Sequence, residues 1–165
     1  MPFHNGTIMP VEIERRYLVS SDEWRSQCNR SVVISQGYFS PAADYCLRVR
    51  VMDDSEAFLT IKGNAKNLGS RPEFEYSVPL DHAKEMLETF CGTRILRKKR
   101  HYLTMSDGHL WEIDEFLDRH SGLVIAEIEL KDADEPFLKP TWLGEDITRQ
   151  QQYSNQNLAN QPPES

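Results

Sequence analysis

Apolar and polar side chains alternate with period two along most of this chain, the spacing that sends neighbouring residues to opposite faces of a β-strand. The alternation predicts eight strands, over residues 11–19, 31–40, 44–52, 56–63, 71–80, 94–105, 109–117 and 122–130. Between them stand Pro41, Asp53-Asp54, Gly63-Asn64, Ser106-Asp107-Gly108 and Ser121-Gly122, which carry turn chemistry. A link as short as Ser106-Asp107-Gly108 joins antiparallel strands, since a parallel crossover needs about a dozen residues. Helical spacing is confined to three short stretches. One follows the cap Ser20-Ser21-Asp22 to about Cys28, one runs from the cap Asp81 to Phe90 and stops at Gly92, and a weaker one covers RQQQYSNQNLA near the C-terminus. The class expected is mainly β (α+β): an eight-stranded antiparallel closed β-barrel with a few flanking helices, closure being one way to remove exposed strand edges.

The polar half of the alternation is unusual in its chemistry. In the first strand Glu12, Glu14 and Arg16 share a face opposite Val11, Ile13, Tyr17 and Val19, with Arg15 the exception. Arg48 and Arg50 share a face of the third strand, Lys62 sits on that of the fourth, and Arg71, Glu73 and Glu75 on that of the fifth. Lys98 and Arg100 follow on the sixth, Glu112 and Asp114 on the seventh, Glu127 and Glu129 on the eighth. On any one strand this is an ordinary solvent face. Repeated on nearly every strand as tight pairs of like charge, it asks for compensating ligands. Carboxylates at i and i+2 point the same way about 7 Å apart, so a facing strand can complete a site for a hard cation. Rows of Arg and Lys suit phosphate oxygens. Both rows facing one lumen imply a complex of metal and polyphosphate inside the barrel.

Composition narrows the reading. A chain of 165 residues with 39% hydrophobic and 10% aromatic residues can bury the core of one domain, here expected over residues 10–158, with residues 1–9 a flexible segment and 159–165 a disordered tail. A net charge of -7 argues against a nucleic-acid-coating surface. Seven of the 19 bases and eight of the 26 acids fall on the charged face, so that face is nearly neutral and most of the negative charge lies outside it. Cys28, Cys46 and Cys91 lack metal or disulfide spacing, which suits a reducing cytoplasm. The first ten residues lack the apolar run of a secretory signal, and no stretch approaches the roughly 18 apolar residues of a membrane span. Trp24, Trp111 and Trp142 read as packing residues, the histidines have no ligand spacing, and the run Arg97 to Arg100 divides between two strand faces.

In order and spacing, Glu12-x-Glu14-x-Arg16, Leu47-Arg48-Val49-Arg50, Lys62-Gly63, Arg71-x-Glu73-x-Glu75, Lys98-x-Arg100, Trp111-Glu112-Ile113-Asp114-Glu115-Phe116 and Glu127-Ile128-Glu129 resemble the motifs of the CYTH superfamily, the triphosphate tunnel metalloenzymes. The resemblance spans about residues 10 to 160 and is strongest to small bacterial inorganic triphosphatases. It implies metal-dependent hydrolysis of tripolyphosphate to pyrophosphate and phosphate, with Mg2+ or Mn2+ as cofactor and a small anionic triphosphate as substrate. By the same resemblance Glu12, Glu14 and Glu129, with Glu127 beside them, are the metal carboxylates. Arg16, Arg48, Arg50, Lys62, Lys98 and Arg100 hold the phosphate chain, and Lys98 and Tyr38 lie near the attacking water. Glu73, Glu75, Glu112 and Asp114 orient the cations, activate water or bind a second metal, roles that remain open at this point. Tyr38 reads equally well as an aromatic in a strand.

One departure stands out: the family's first motif usually ends in lysine, and here it is Arg16. Arginine keeps the charge but never gives up its proton and is bulkier, which points to reduced or altered activity. Adenylate cyclases and thiamine or nucleoside triphosphatases belong to the same superfamily, and a non-catalytic polyphosphate or nucleotide binder is the reading from another class. No nucleic-acid or membrane partner is expected. A homodimer is, because a barrel with a charged lumen must cover an apolar exterior.

Overall fold

The computed structural model describes residues 13–40, 44–63 and 72–161. Nine antiparallel strands form one sheet: β1 (Ile13–Val19), β2 (Arg30–Tyr38), β3 (Tyr45–Met52), β4 (Glu56–Gly63), β5 (Glu73–Ser77), β6 (Ile95–Thr104), β7 (Leu110–Phe116), β8 (Val124–Leu130) and β9 (Leu143–Asp146). Their order across the sheet is β5-β4-β3-β2-β6-β7-β8-β1-β9. Two α-helices flank it, α1 (Leu80–Phe90) and α2 (Asn155–Asn160), with short 3-10 turns at Glu23–Gln27, Asp118–His120 and Gln151–Tyr153. Among the described residues no helix is long and apolar enough to cross a membrane.

The mainly β antiparallel class is as expected, with nine strands where the alternation predicts eight. The extra strand, Leu-Gly-Glu-Asp, is four residues long and shows no alternation. It pairs with β1 through Tyr17 to Asp146 and Val19 to Leu143, with an irregular register between them. Gly144 makes this approach: a Cβ there would stand 2.9 Å from the Leu18 carbonyl oxygen. Among the described residues no ladder joins β5 to β9, and curl carries the sheet round. Glu14 on β1 lies close enough to Lys62 on β4 to feel its charge, although the two strands are far apart in the sheet order.

The helices also differ in detail from expectation. Pro79, not Asp81, occupies the N-cap of α1, and Asp81 lies in the first turn, where its charge opposes the positive helix end. The proline ends the fifth strand earlier than residue 80, since it has no N–H for a ladder. The C-terminal helical stretch divides into the turn Gln151–Tyr153 and α2, whose N-cap Ser154 accepts a hydrogen bond from the Asn157 N–H. The stretch after Asp22 is a 3-10 turn without a side-chain cap.

Three apolar clusters divide the two faces of the sheet. On the outer face, Trp111 and Trp142 meet edge to face with ring centroids 5.5 Å apart, beside buried Trp24, Tyr17, Leu103 and Ile128. Farther round, α1 covers Val49, Val51 and Ala57 through Ala83, Met86 and Leu87. The third cluster lies on the inner face: Tyr38, Leu96, Phe116 and Ile125 pack with Ile147, Leu158 and Ala159 of the C-terminal segment and floor one end of the curl. All three tryptophans are therefore packing residues.

Gly37, next to the end of β2, permits the close seat of α1. A Cβ at this position would lie 2.6 Å from Cys91 Sγ and 2.7 Å from Leu87. Gly37→Ala is expected to lower the unfolding free energy by about 1–3 kcal/mol, the usual range for overpacking a filled core, as measured by urea denaturation.

Candidate functional site

Register places the paired charges on one surface. Arg16 faces Glu127 and Glu14 faces Glu129 between β1 and β8; Glu127 faces Glu112 between β8 and β7. Asp114 faces Arg100 across the β6–β7 ladder, and Lys98 is two residues from Arg100 on β6. From the other side, Arg50 faces Gln36 and Arg48 faces both Tyr38 and Thr60. Thr60 faces Glu75 and Lys62 faces Glu73. Cross-strand partners share a face, so Glu14, Arg16, Arg48, Arg50, Lys62, Glu73, Glu75, Lys98, Arg100, Glu127 and Glu129 line the inner side of the curl, with Tyr38. Glu12 and Arg71 lie outside the described residues.

The centre of this surface is a buried ion cluster. Lys98 is completely buried; its Nζ donates to Asp114 Oδ2 at 2.7 Å and to Asn155 Oδ1 at 3.1 Å. Arg100 donates from Nε to Asp114 Oδ1 at 2.7 Å and from Nη2 to Oδ2 at 2.9 Å, while its Nη1 lies 2.7 Å from Glu112. Burial alone would raise the Asp114 pKa, but the two cations hold it well below the usual carboxylate range. Arg100 is likewise held fully charged: burial opposes its charge, and the hydrogen bonds and charge of Asp114 outweigh that. Lys98 is held less firmly. Burial pulls its pKa down to about 8, with Asp114 resisting and Arg100 and Arg50 adding to the fall. Asp114 thus bridges two adjacent buried cations, and Glu112 adds a second carboxylate on Arg100.

A second group of cations lies on β3. Burial, followed by the charges of Arg48 and Arg100, lowers the Arg50 pKa to about 10, so Arg50 remains cationic near neutrality. Arg48 donates from Nη2 to Thr60 Oγ1 at 3.3 Å, and its buried Nε has no hydrogen-bond partner among the described residues. Tyr38 is buried, and burial pushes its phenol pKa up, so the hydroxyl stays protonated. Toward the sheet edge, Lys62 Nζ stands 3.7 Å from Glu73, which with Glu75 lies on exposed β5.

The opposite wall is acidic. Glu112, Glu127 and Glu129 border a cavity of about 420 Å³ that opens beside the β6–β7 hairpin. The Glu14 side chain is half exposed. Its pKa is raised to about 8, first by desolvation and then by Glu127, whose carboxylate repels it and shares a hydrogen bond. Arg16 lies between them: its Nε is 3.1 Å from Glu127 and 3.7 Å from Glu14, and its Nη2 donates to the Tyr153 carbonyl at 2.9 Å. Among the described residues no three His, Cys, Asp or Glu side chains converge on one metal position. The donor set is nonetheless all carboxylate, and its mutual repulsion is the kind a hard divalent cation relieves.

Three participants escape a search for charge pairs. Gln36 and Thr60 are uncharged members of the same alternating faces, and Asn155 reaches Lys98 from α2, far away in sequence. Only the period-two position of Gln36 and Thr60 marked them.

Comparison with known proteins agrees with this geometry. A family model described as CYTH domain matches residues 10–161. An inorganic triphosphatase of Acetivibrio thermocellus is 42% identical over 154 residues, 93% of this chain and 96% of that protein. One of Nitrosomonas europaea is 33% identical over 153 residues, 90% of this chain and 97% of that protein. A crystal structure of an inorganic triphosphatase superposes with a TM-score of 0.73 at 31% identity, covering 94% of this chain and 99% of the other.

Removing the shared carboxylate tests the cluster. Asp114→Asn leaves buried Lys98 without its carboxylate partner and Arg100 with Glu112 alone, and is expected to lower stability by about 3–5 kcal/mol. Because Asp114 is the larger of the two carboxylate influences that raise the Lys98 pKa, ahead of Glu127, the Lys98 titration followed by nitrogen NMR should move below about 8.

Proposed function

The chain belongs to the CYTH domain family, and on that premise we propose that it is a hydrolase that cleaves inorganic triphosphate into pyrophosphate and phosphate inside the tunnel. The observation that carries this reading is the concentration of Arg48, Arg50, Lys98 and Arg100 on one inner wall, buried or nearly so, opposite a wall of glutamates. In this low-dielectric setting fixed cations stabilise charge on transferring phosphoryl oxygens without having to reorganise.

Each residue has a task that follows from its setting. Arg48, Arg50 and Arg100 hold phosphoryl oxygens, and Lys62 meets the chain near the sheet edge. Asp114 fixes Lys98 and Arg100, Glu112 supports Arg100, and Glu73 supports Lys62. With a pKa of about 8, Lys98 populates both protonation states near neutral pH. It can hold the terminal phosphoryl group as a cation or take a proton from the attacking water as an amine. Water forms the new bond to the terminal phosphorus as the bridging P–O bond breaks, and pyrophosphate leaves. The family's triphosphatases are metalloenzymes; here Glu12, Glu14, Glu127 and Glu129 would hold Mg2+ or Mn2+, which supplies positive charge to phosphoryl oxygens.

A phosphate-release panel of tripolyphosphate, ATP and thiamine triphosphate against several divalent metals tests the reading. Tripolyphosphate is expected to be turned over fastest, with loss on adding a chelator. Cyclic AMP from ATP, or binding without turnover under every metal, would overturn it. In the same assay Lys98→Ala should lower kcat by about 10²–10⁴-fold with tripolyphosphate binding partly retained.

Arg16 makes a second, separate test. Its guanidinium serves Glu127 and the Tyr153 carbonyl at once, a two-sided grip that a single ammonium does not reproduce. Arg16→Lys should raise kcat severalfold while amide exchange near Tyr153 quickens. An unchanged kcat would mean that the arginine carries no catalytic penalty.

A further inference from the structure

Gln36 is fully buried on the inner face of β2, between two residues of the phosphate wall. Its Oε1 accepts from Arg50 Nε at 3.0 Å, and its Nε2 donates to the Tyr38 hydroxyl oxygen at 3.0 Å. Guanidinium has donors and no acceptor, so Arg50 permits only one orientation of the amide: carbonyl toward Arg50, NH2 toward Tyr38. That orientation in turn settles the phenol. With its oxygen accepting from Gln36, the Tyr38 hydrogen is directed elsewhere, and the hydroxyl lies close enough to Arg48 and Arg50 to feel their charges.

We propose that Gln36 is a positioning residue that sets the polarity of the inner wall, anchoring Arg50 through Nε so that its two terminal nitrogens face the lumen, and turning the Tyr38 hydroxyl into a donor toward the bound triphosphate. The inference rests on the triphosphate reading of the lumen. It assigns work to an uncharged side chain that touches no phosphate itself. Polarity passes in one direction along the chain Arg50, Gln36, Tyr38, because its first member cannot accept a hydrogen bond.

Gln36→Glu reverses the last link at nearly constant shape. A carboxylate accepts from both neighbours, so the Tyr38 hydrogen turns toward residue 36 and away from the lumen. With tripolyphosphate, kcat is expected to fall at least about tenfold in the native background, the scale of one lost hydrogen bond to a charged group. In the Tyr38→Phe background, where no hydroxyl remains, the same change should lower kcat less than about threefold. Equal fold losses in the two backgrounds would overturn the proposal, since a merely structural or charge effect acts alike in both.

A readout without turnover separates this from the wider function. In 15N-labelled protein the Gln36 side-chain amide protons should exchange slowly with solvent, and Tyr38→Phe, which removes their acceptor, should shift their resonances and speed exchange. Unmoved signals would overturn the relay whatever the activity. Native protein that releases no phosphate from tripolyphosphate while Tyr38→Phe still moves the amide would instead sink the triphosphatase reading alone.

Discussion

Asp114 holds two buried cations with one carboxylate, and the inner wall depends on that arrangement. A lysine with no solvent exposure beside an arginine would be strongly destabilising without a counter-charge. Bonds of 2.7, 2.7 and 2.9 Å from Lys98 and Arg100 supply it. Glu112 adds a second carboxylate at 2.7 Å from Arg100, so the positive surplus of the wall comes from Arg48 and Arg50 on β3 beside this paired cluster. The cluster is set in place because β6 and β7 are adjacent strands whose register puts Asp114 opposite Arg100.

The same economy recurs round the lumen. Arg50 is steadied by Gln36, Arg48 by Thr60, Lys62 by Glu73 and Arg16 by Glu127. Each partner fixes one side of a guanidinium or ammonium through a neighbouring strand. On the acidic side, desolvation first and the neighbouring Glu127 second raise the Glu14 pKa to about 8. The two walls are therefore poised in opposite senses, one with excess positive charge and one with carboxylates short of a cation.

Much of this was legible from residue order alone, because strand geometry converts period two into a face. Glu112 and Asp114, or Arg48 and Arg50, could only point the same way, and hairpin links forced neighbouring strands to be antiparallel. What period two cannot encode is where the register stops and which residues arrive from elsewhere. Strand β9 has no such signature because four residues including a glycine carry no alternation, and its place is set by backbone approach to Leu18. Asn155 arrives from a helix whose packing against β6 has no local signature. Gln36 was overlooked for a different reason: charge marked the face, and its contribution is direction of hydrogen bonding.

The apolar floor of the curl has a consequence for substrate length. Leu96, Phe116 and Ile125 on the strands, covered by Leu158 and Ala159, make the inner face apolar at the end away from the β6–β7 hairpin. Strand faces that begin as ion wells finish as greasy wall, as in Glu129, Glu127 and then Ile125 along β8. A phosphate chain finds no counter-charge on that apolar stretch, so it is held where the cations stand and stops where the greasy wall begins. The floor thus works as a gauge of length, because any part of a linear anion that runs past the last cation has nothing there to hold it.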